Sequence, residues 1–136
     1  MLIWLVLIPL IAAALIGLCK APARPTALLS ASLTLALGIW ALVSFDGCSS
    51  CWSRFEGMDL QLTLAPALSK VMLLLTILVT FATVLGTNPP QGGEASWYNS
   101  ALLISAGATG AFLSDNMISF FAFHELALIP TFVMIG

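Results

Sequence analysis

Long apolar stretches separated by short breaks account for most of this chain. Five such stretches lie at about residues 2–19, 26–45, 67–87, 97–114 and 116–136. Each approaches the roughly 20 residues that a helix needs to cross about 30 Å of hydrocarbon. Because the stretches are apolar on all sides and do not alternate with polar residues, they indicate helices and not the strands of a membrane barrel. The pattern predicts an all-α integral membrane protein with one membrane domain, a bundle of about five transmembrane helices.

The breaks between these stretches contain residues that end helices. Pro22 and Pro25 separate the first two stretches, and residues 86–93, which are rich in Gly and Pro, separate the third from the fourth. The break at residues 114–116, Ser-Asp-Asn, is very short. It therefore predicts that the fourth and fifth helices are antiparallel neighbours, with Ser, Asp or Asn capping the fifth.

The composition excludes several classes of protein. Hydrophobic residues make up 60% of the chain and charged residues 7%, and the formal net charge is −2. Soluble domains carry about 25% charged residues, and disordered segments need high polarity. No basic surface is available to neutralise phosphates, so we expect no nucleic-acid partner. The expected surroundings are membrane lipid and other membrane segments.

The sparse charges suggest an orientation. Lys20 and Arg24 lie in the first short loop, which places that loop in the cytoplasm and the N-terminus outside. Arg54 and Lys70, on the opposite side, argue against this orientation. Because the basic residues follow the first apolar stretch, we interpret this stretch as a retained helix and not as a cleaved signal peptide. The expected location is a bacterial inner membrane.

Aromatic and small residues indicate how the helices are anchored and packed. Five aromatic residues near the ends of the stretches predict anchors at the membrane interface; they are Trp4, Trp40, Trp52, Trp97 and Tyr98. In the fourth stretch, residues 106–111 are all Ala, Gly or Thr. Such a run lets two helix backbones approach closely.

Cys48 and Cys51 form a C-x-x-C pair in the loop after the second stretch. Such a pair is typical of a redox dithiol or of half a metal site, and zinc needs four ligands. Cys19 and His124 lie in or beside helices and are too distant to complete the set. We expect no metal site. A disulfide within the loop and two cysteines with a local structural use both remain open.

Lys70 lies near the start of the third stretch. A lysine near a helix end can extend its ammonium group to the lipid headgroups. The alternative is that Lys70 belongs to a polar path through the membrane, so it is a weaker candidate for the functional site.

Glu125 is the strongest candidate for the functional site. Nine residues separate it from Asn116, so it lies about 13–14 Å into the fifth helix, close to half of the roughly 30 Å hydrocarbon core. An acidic residue at that depth costs at least about 2.5–3.5 kcal/mol. Such residues commonly mark proton or ion sites that have a partner, although a structural ion pair between helices would also account for it.

Two neighbours of Glu125 add to the candidate site. His124 can titrate near neutral pH, so it is either part of a proton relay or a hydrogen-bonding residue between helices. Pro130 cannot donate a backbone hydrogen bond to the carbonyl of Leu126, so we expect a local break in the fifth helix beside Glu125. No suitable mid-membrane lysine is visible in the chain, so the partner of Glu125 is expected to lie elsewhere.

These residues resemble a known family. Phe123-His124-Glu125 followed by Leu128-Ile129-Pro130 is similar to the fifth helix of the antiporter-like subunits of respiratory complex I. The similarity is greatest to the chain M branch, which corresponds to subunit 4 of the mitochondrial NADH dehydrogenase. Residues 110–114 of the preceding helix also resemble that family, and residues 55–59 do so more loosely.

The resemblance implies a role in proton translocation by a NADH-quinone oxidoreductase. In that family the glutamate that matches Glu125 pairs with a lysine on a later helix, and the electrostatics of the pair gate proton movement. The NADH, flavin, iron–sulfur and quinone sites belong to partner subunits, so this chain is expected to bind no cofactor and to catalyse no reaction alone. Other subunits of the membrane arm are the implied partners.

Family members have about fourteen helices, and their proton-conducting repeats begin at the fourth. The chain is therefore expected to be the N-terminal portion of such a subunit, with its last two helices beginning the first repeat and the missing C-terminal helices as further partners. Two other functions remain open. One is a subunit of a multi-subunit sodium/proton antiporter, and the other is a small structural or assembly protein of the membrane.

Overall fold

A computed structural model describes residues 3–19, 22–44, 67–89 and 92–135. This part of the chain forms five helices and contains no β-strand, which confirms the predicted all-α bundle. The helices are α1 (Ile3–Cys19), α2 (Ala23–Ser44), α3 (Ala67–Gly86), α4 (Glu94–Leu113) and α5 (Met117–Ile135). Among them, α2, α3 and α5 are long and apolar enough to cross a membrane, and α1 is a shorter apolar helix. The chain is a multi-pass membrane protein.

The central helix of the bundle is α4. Its backbone lies close to those of the other four helices, whereas the backbone of α5 comes close to α4 alone among the described helices. Half of the residues of α4 are buried, and most of these are small or hydroxylated. Small side chains suit this position because lipid is as apolar as a leucine side chain, so close backbone packing, and not the exclusion of water, holds membrane helices together.

Two buried clusters form the core. The first core cluster contains Leu5, Ala41, Leu73, Ile77 and Leu113, and the half-buried Phe123 of α5 packs against it. The second core cluster lies toward the other end of the bundle and is made by eight residues: Ala12, Ala13, Ile16, Ala27, Ala31, Val84, Tyr98 and Leu102. Phe123 therefore connects the peripheral helix α5 to the centre of the bundle.

Tyr98 corrects one of the predictions about aromatic anchors. Its side chain is only 1% exposed and belongs to the second core cluster. The Trp97 ring packs edge-on against it, with ring centroids 5.1 Å apart. Tyr98 is thus a core residue, because its cluster brings together side chains of α1, α2, α3 and α4 near the start of α4. Trp4 and Trp40 are exposed, and Trp52 lies outside the described residues.

Two helices begin earlier than the apolar pattern predicts. Helix α2 starts at Ala23, three residues before the predicted start, because Pro25 falls in the first turn, where a missing N–H costs no helical hydrogen bond. Helix α4 starts at Glu94, just after Gly92 turns the chain with a φ of 91°. The carboxylate of Glu94 in the first turn is favoured by the helix dipole.

Asn116 is the cap of α5. Its Oδ1 accepts a hydrogen bond from the backbone N–H of Ile118 at 3.2 Å, and its carbonyl accepts the first helical bond from Phe120 at 2.9 Å. Of the three residues in the short break, the structure therefore selects Asn116. This cap fixes the start of the helix that carries Glu125.

We expect the Asn116→Ala substitution to lower the free energy of unfolding by about 1 kcal/mol, because an N–H at the start of α5 loses its acceptor. Unfolding of the chain in mixed detergent micelles, followed by circular dichroism, measures the change. Asn116→Ser keeps an acceptor oxygen and should recover most of the loss. Equal stability of Asn116→Ala and the unaltered chain would contradict the capping role.

Candidate functional site

Glu125 lies at the middle of α5. It is eight residues beyond Met117, so its Cα is about 12 Å from the start of a helix whose full length is about 28 Å. Its side chain is exposed on the surface of the bundle. The structure therefore places a carboxylate at mid-helix depth on the outside of the five helices.

The surroundings of Glu125 on the surface of α5 are apolar. Successive residues of an α-helix are 100° apart around the axis, so several exposed residues lie within about 40° of Glu125. These neighbours on the outward face are Ile118, Phe121, Ile129 and Phe132. The two buried residues of α5, Ser119 and Pro130, lie about 120–140° away. Glu125 is thus at the centre of the outward face of α5 and not at its edge.

No described residue compensates the charge of Glu125. Within residues 3–19, 22–44, 67–89 and 92–135, no hydrogen bond or ion pair reaches its carboxylate. A charged group in hydrocarbon needs a partner, a water-filled cavity or a proton of its own. A partner or a water-filled cavity for Glu125 must therefore come from outside the described residues, unless the carboxyl group carries its own proton.

The opposite side of α5 is held tightly against α4. A Cβ added at Gly107 would lie 2.8 Å from Ala127 Cβ, from the Ala127 backbone nitrogen and from the carbonyl oxygen of Phe123. A Cβ added at Gly110 would collide with the aromatic ring of Phe123. The run of small residues in α4 therefore has a particular use at these two glycines, which the sequence shows only as a general capacity for close packing.

His124 adjoins Glu125 in sequence but points about 100° away around the helix. Its imidazole stacks on the ring of Phe120, with centroids 5.9 Å apart and planes at 22°. The His124 side chain is exposed, and no hydrogen bond joins it to Glu125. The proposed relay role of His124 stays a prediction.

Pro130 does not end α5. The helix continues without interruption from Met117 to Ile135, so the proline leaves only the Leu126 carbonyl without its usual N–H donor. Pro130 is buried, and the next residue, Thr131, donates its hydroxyl to the Ala127 carbonyl at 2.7 Å. The expected break is therefore limited to one missing hydrogen bond, about one residue beyond Glu125.

Lys70 is not brought to Glu125. It is the fourth residue of α3 and half-buried, about 4–5 Å from the start of its helix, whereas Glu125 is about 12 Å from the start of α5. The backbones of α3 and α5 do not come close to each other. Lys70 therefore does not supply the counter-charge, and its place in a polar path stays a prediction.

The remaining sequence candidates cannot be placed. Cys48 and Cys51 lie outside the described residues, as does Arg54. Among the residues that the structure does describe, no group of three or more His, Cys, Asp or Glu side chains could hold a metal ion. The described part of the site thus consists of Glu125, its neighbours on α5 and the two glycines behind it.

The structure also shows an outward groove between α3 and α4, with a volume of about 380 Å³, which the sequence does not indicate. Its wall includes Thr76 and Thr80, whose hydroxyls donate to backbone carbonyls one turn earlier at 2.8 Å. Thr80 Oγ1 also forms a 3.1 Å hydrogen bond with the Ser105 hydroxyl. These two threonine hydroxyls and that of Ser105 are satisfied within the bundle, and most of the groove wall is apolar.

Comparison with known proteins supports the family indicated by the residues of α5. The chain is 24% identical over 142 residues to F(420)H(2) dehydrogenase subunit M of Methanosarcina mazei, covering 97% of this chain and 29% of that protein. It is 30% identical over 152 residues to NADH-quinone oxidoreductase subunit M of Pseudomonas aeruginosa, covering 98% of this chain and 30% of that protein. The chain thus spans about 30% of the length of these relatives. No family model matches it.

Both similarities extend over nearly the whole chain, and both relatives carry the name subunit M, one of an F(420)H(2) dehydrogenase and the other of an NADH-quinone oxidoreductase. At 24% and 30% identity, they support the subunit M family without identifying one member of it.

Proposed function

We propose that this chain is part of a membrane-arm subunit of a proton-pumping NADH-quinone oxidoreductase and that Glu125 carries a proton through the middle of the membrane. NADH, flavin, iron–sulfur clusters and quinone are bound by partner subunits. The observation that carries the proposal is the position of Glu125, a carboxylate at mid-helix depth, central on the outward face of α5 and without a partner among the described residues.

The chemistry of this position favours exchange of a proton. A carboxylate in hydrocarbon is stable in its neutral acid form, and a cation within about 4–6 Å favours the ionised form. The cation that the family resemblance implies is a lysine on a later helix of the same subunit, facing the outward surface of α5.

No described helix covers the outward face of α5, which agrees with this arrangement. Among the described helices, only α4 has its backbone close to that of α5, and the outward face of α5 combines large apolar side chains with one acid. Apolar contacts would seat a further helix, and Glu125 would then be enclosed between two helices and shielded from lipid. We infer that the following helices of the subunit cover this face. The proposed location is the bacterial inner membrane, with the N-terminus outside.

Purification of the tagged chain from its native membranes tests the assignment to a complex. We expect the chain to co-purify with subunits that carry flavin and iron–sulfur clusters, detected by absorbance and by mass spectrometry. Co-purification with sodium/proton antiporter subunits and without redox cofactors would replace the proposal by the antiporter alternative. A chain that purifies alone, under detergent conditions that keep known membrane complexes intact, would favour a small structural protein.

A further inference from the structure

We propose that Gly107 and Gly110 are positioning residues for Glu125: the close contact that they allow between α4 and α5 fixes the rotation of α5 about its own axis. The inference rests on the proposed role of Glu125, because it explains how that carboxylate is kept at the centre of the outward face. Neither glycine touches the carboxylate, so both act through the backbone of α5.

The contact at Gly107 involves atoms that cannot move independently. A Cβ there would lie 2.8 Å from a backbone nitrogen and from a backbone carbonyl oxygen of α5, both of which are tied into the helix. Such a methyl group can be accommodated only if the whole of α5 shifts or turns. At Gly110 the obstacle is the Phe123 ring, which is itself packed against the first core cluster.

The residues in this contact lie opposite Glu125. Phe123 and Ala127 are two residues before and after Glu125, so each is about 200° around the helix, or 160° by the shorter way. The midpoint of the contact is therefore diametrically opposed to the carboxylate. When α4 holds Phe123 and Ala127, Glu125 must point directly away from the bundle.

Among the described helices, α4 makes the main contact with α5, and it is the only one whose backbone comes close to that of α5. The Phe123 side chain also reaches the first core cluster, and the outward face of α5 is apolar nearly all round Glu125. An apolar face has no preferred direction in lipid, because lipid solvates Ile, Phe and Leu equally well. The two glycines thus supply the directional contact that the side chains of the outward face do not.

A methyl group at position 107 should turn the helix by a measurable amount. Ordinary contact begins at 3.4 Å, so the 2.8 Å approach must relax by about 0.6 Å. Taken up as rotation at the Cα radius of about 2.3 Å, that displacement is roughly 15°. Glu125 would then leave the centre of the outward face.

Spin labels on either side of Glu125 report this rotation. Positions 124 and 126 lie about 100° to each side of it and differ in depth by only about 3 Å. Each position receives a single cysteine and a nitroxide, in the full chain with Cys19, Cys48 and Cys51 replaced by serine, reconstituted in lipid vesicles. Power saturation in oxygen gives the lipid exposure of each label, and the ratio of the two exposures follows the rotation of α5.

We expect Gly107→Ala to raise the oxygen exposure of one label and lower that of the other, so that the ratio changes by about twofold. Gly38→Ala is the matched control. Its added Cβ would meet Ile77 Cδ1 at 2.5 Å, but that atom is the tip of a flexible side chain between α2 and α3. Ile77 belongs to the first core cluster, which Phe123 of α5 also contacts, but a flexible side-chain tip can give way without moving a helix. The ratio should therefore change far less than in Gly107→Ala.

A second pair of variants keeps the test decisive if Gly107→Ala does not fold. Gly110→Ala should change the ratio, and adding Phe123→Ala should return it toward the original value by removing the obstructing ring. Labels that gain exposure together, an unchanged ratio, or a Gly38→Ala effect as large as that of Gly107→Ala would overturn the positioning role. None of these results depends on whether Glu125 carries a proton, which the loss of its carboxylate tests separately.

Discussion

Leu73→Ala is expected to destabilise the bundle by about 2 kcal/mol, a change of roughly 30-fold in the folding equilibrium. Leu73 is fully buried in the first core cluster, with Leu5 and Ile77 as neighbours. Removing its side chain leaves a cavity at the point where Phe123 connects α5 to the bundle. The expected loss is at the lower end of the usual range for buried leucines, because lipid solvates the leucine of the unfolded helix as well as the core does.

Leu75→Ala is the matched control, since Leu75 lies two residues away on α3 and is 54% exposed. Its loss should be below about 0.5 kcal/mol, because truncating a lipid-facing side chain leaves no cavity. Reversible unfolding of both variants by SDS in mixed micelles gives the two free energies. Similar losses for the two leucines would show that the core does not lie where the structure places it.

The depth of Glu125 follows from the sequence, whereas its direction does not. Counting residues from the break at 114–116 is sufficient to place it near the middle of the fifth helix, because every residue of a helix advances by 1.5 Å. The direction requires knowing which face of α5 is buried. In a soluble protein, the polar residues of a helix mark its exposed face. Apolar residues occur on all sides of α5, so its sequence does not show which face is buried.

Other differences have the same physical origin. Tyr98 near the start of an apolar stretch has the sequence signature of an interfacial anchor, yet side chains of α1, α2 and α3 cluster with it, and a covered helix end cannot be recognised without the neighbouring helices. The apolar pattern places the start of α2 after Pro25, because proline usually ends helices. The first turn of a helix tolerates proline, so α2 begins at Ala23. The all-α class needed no such context, because the length and composition of the apolar stretches determine it.

The glycines of α4 show what a sequence pattern leaves out. A run of small residues predicts a close helix contact but not the partner helix or the atoms in contact. The structure shows that Gly107 meets the backbone of α5 at Ala127, directly behind Glu125. This contact turns a general packing motif into a specific hypothesis about how the carboxylate is oriented.

Glu125→Gln is expected to have the largest functional effect. Glutamine keeps the shape of the side chain and its hydrogen-bonding capacity but cannot carry a proton. In the assembled oxidoreductase, we expect coupled proton translocation to fall roughly tenfold or more. Groups that transfer protons typically contribute about 10²–10⁴-fold to the rates that depend on them. The subunit should still assemble, because no hydrogen bond or ion pair joins Glu125 to the described part of the bundle.

Two further variants test whether the loss is specific to the carboxylate of Glu125. Glu125→Asp keeps a carboxylate that is shorter by one methylene, so it should retain part of the activity. Glu94→Gln makes the same chemical change at an exposed position in the first turn of α4, near the helix end, and should leave translocation within about twofold of the unaltered complex. Electron transfer from NADH to an artificial acceptor, which bypasses the membrane arm, should be the same in all variants.

The measurement that tests the central claim most directly is the number of protons translocated per NADH oxidised in vesicles containing the Glu125→Gln complex. If Glu125 carries the proton, we expect a marked fall in this number with the complex intact. The Glu94→Gln complex should show near-normal translocation. An intact Glu125→Gln complex that translocates protons as well as the unaltered one would contradict the proposal that Glu125 carries the proton.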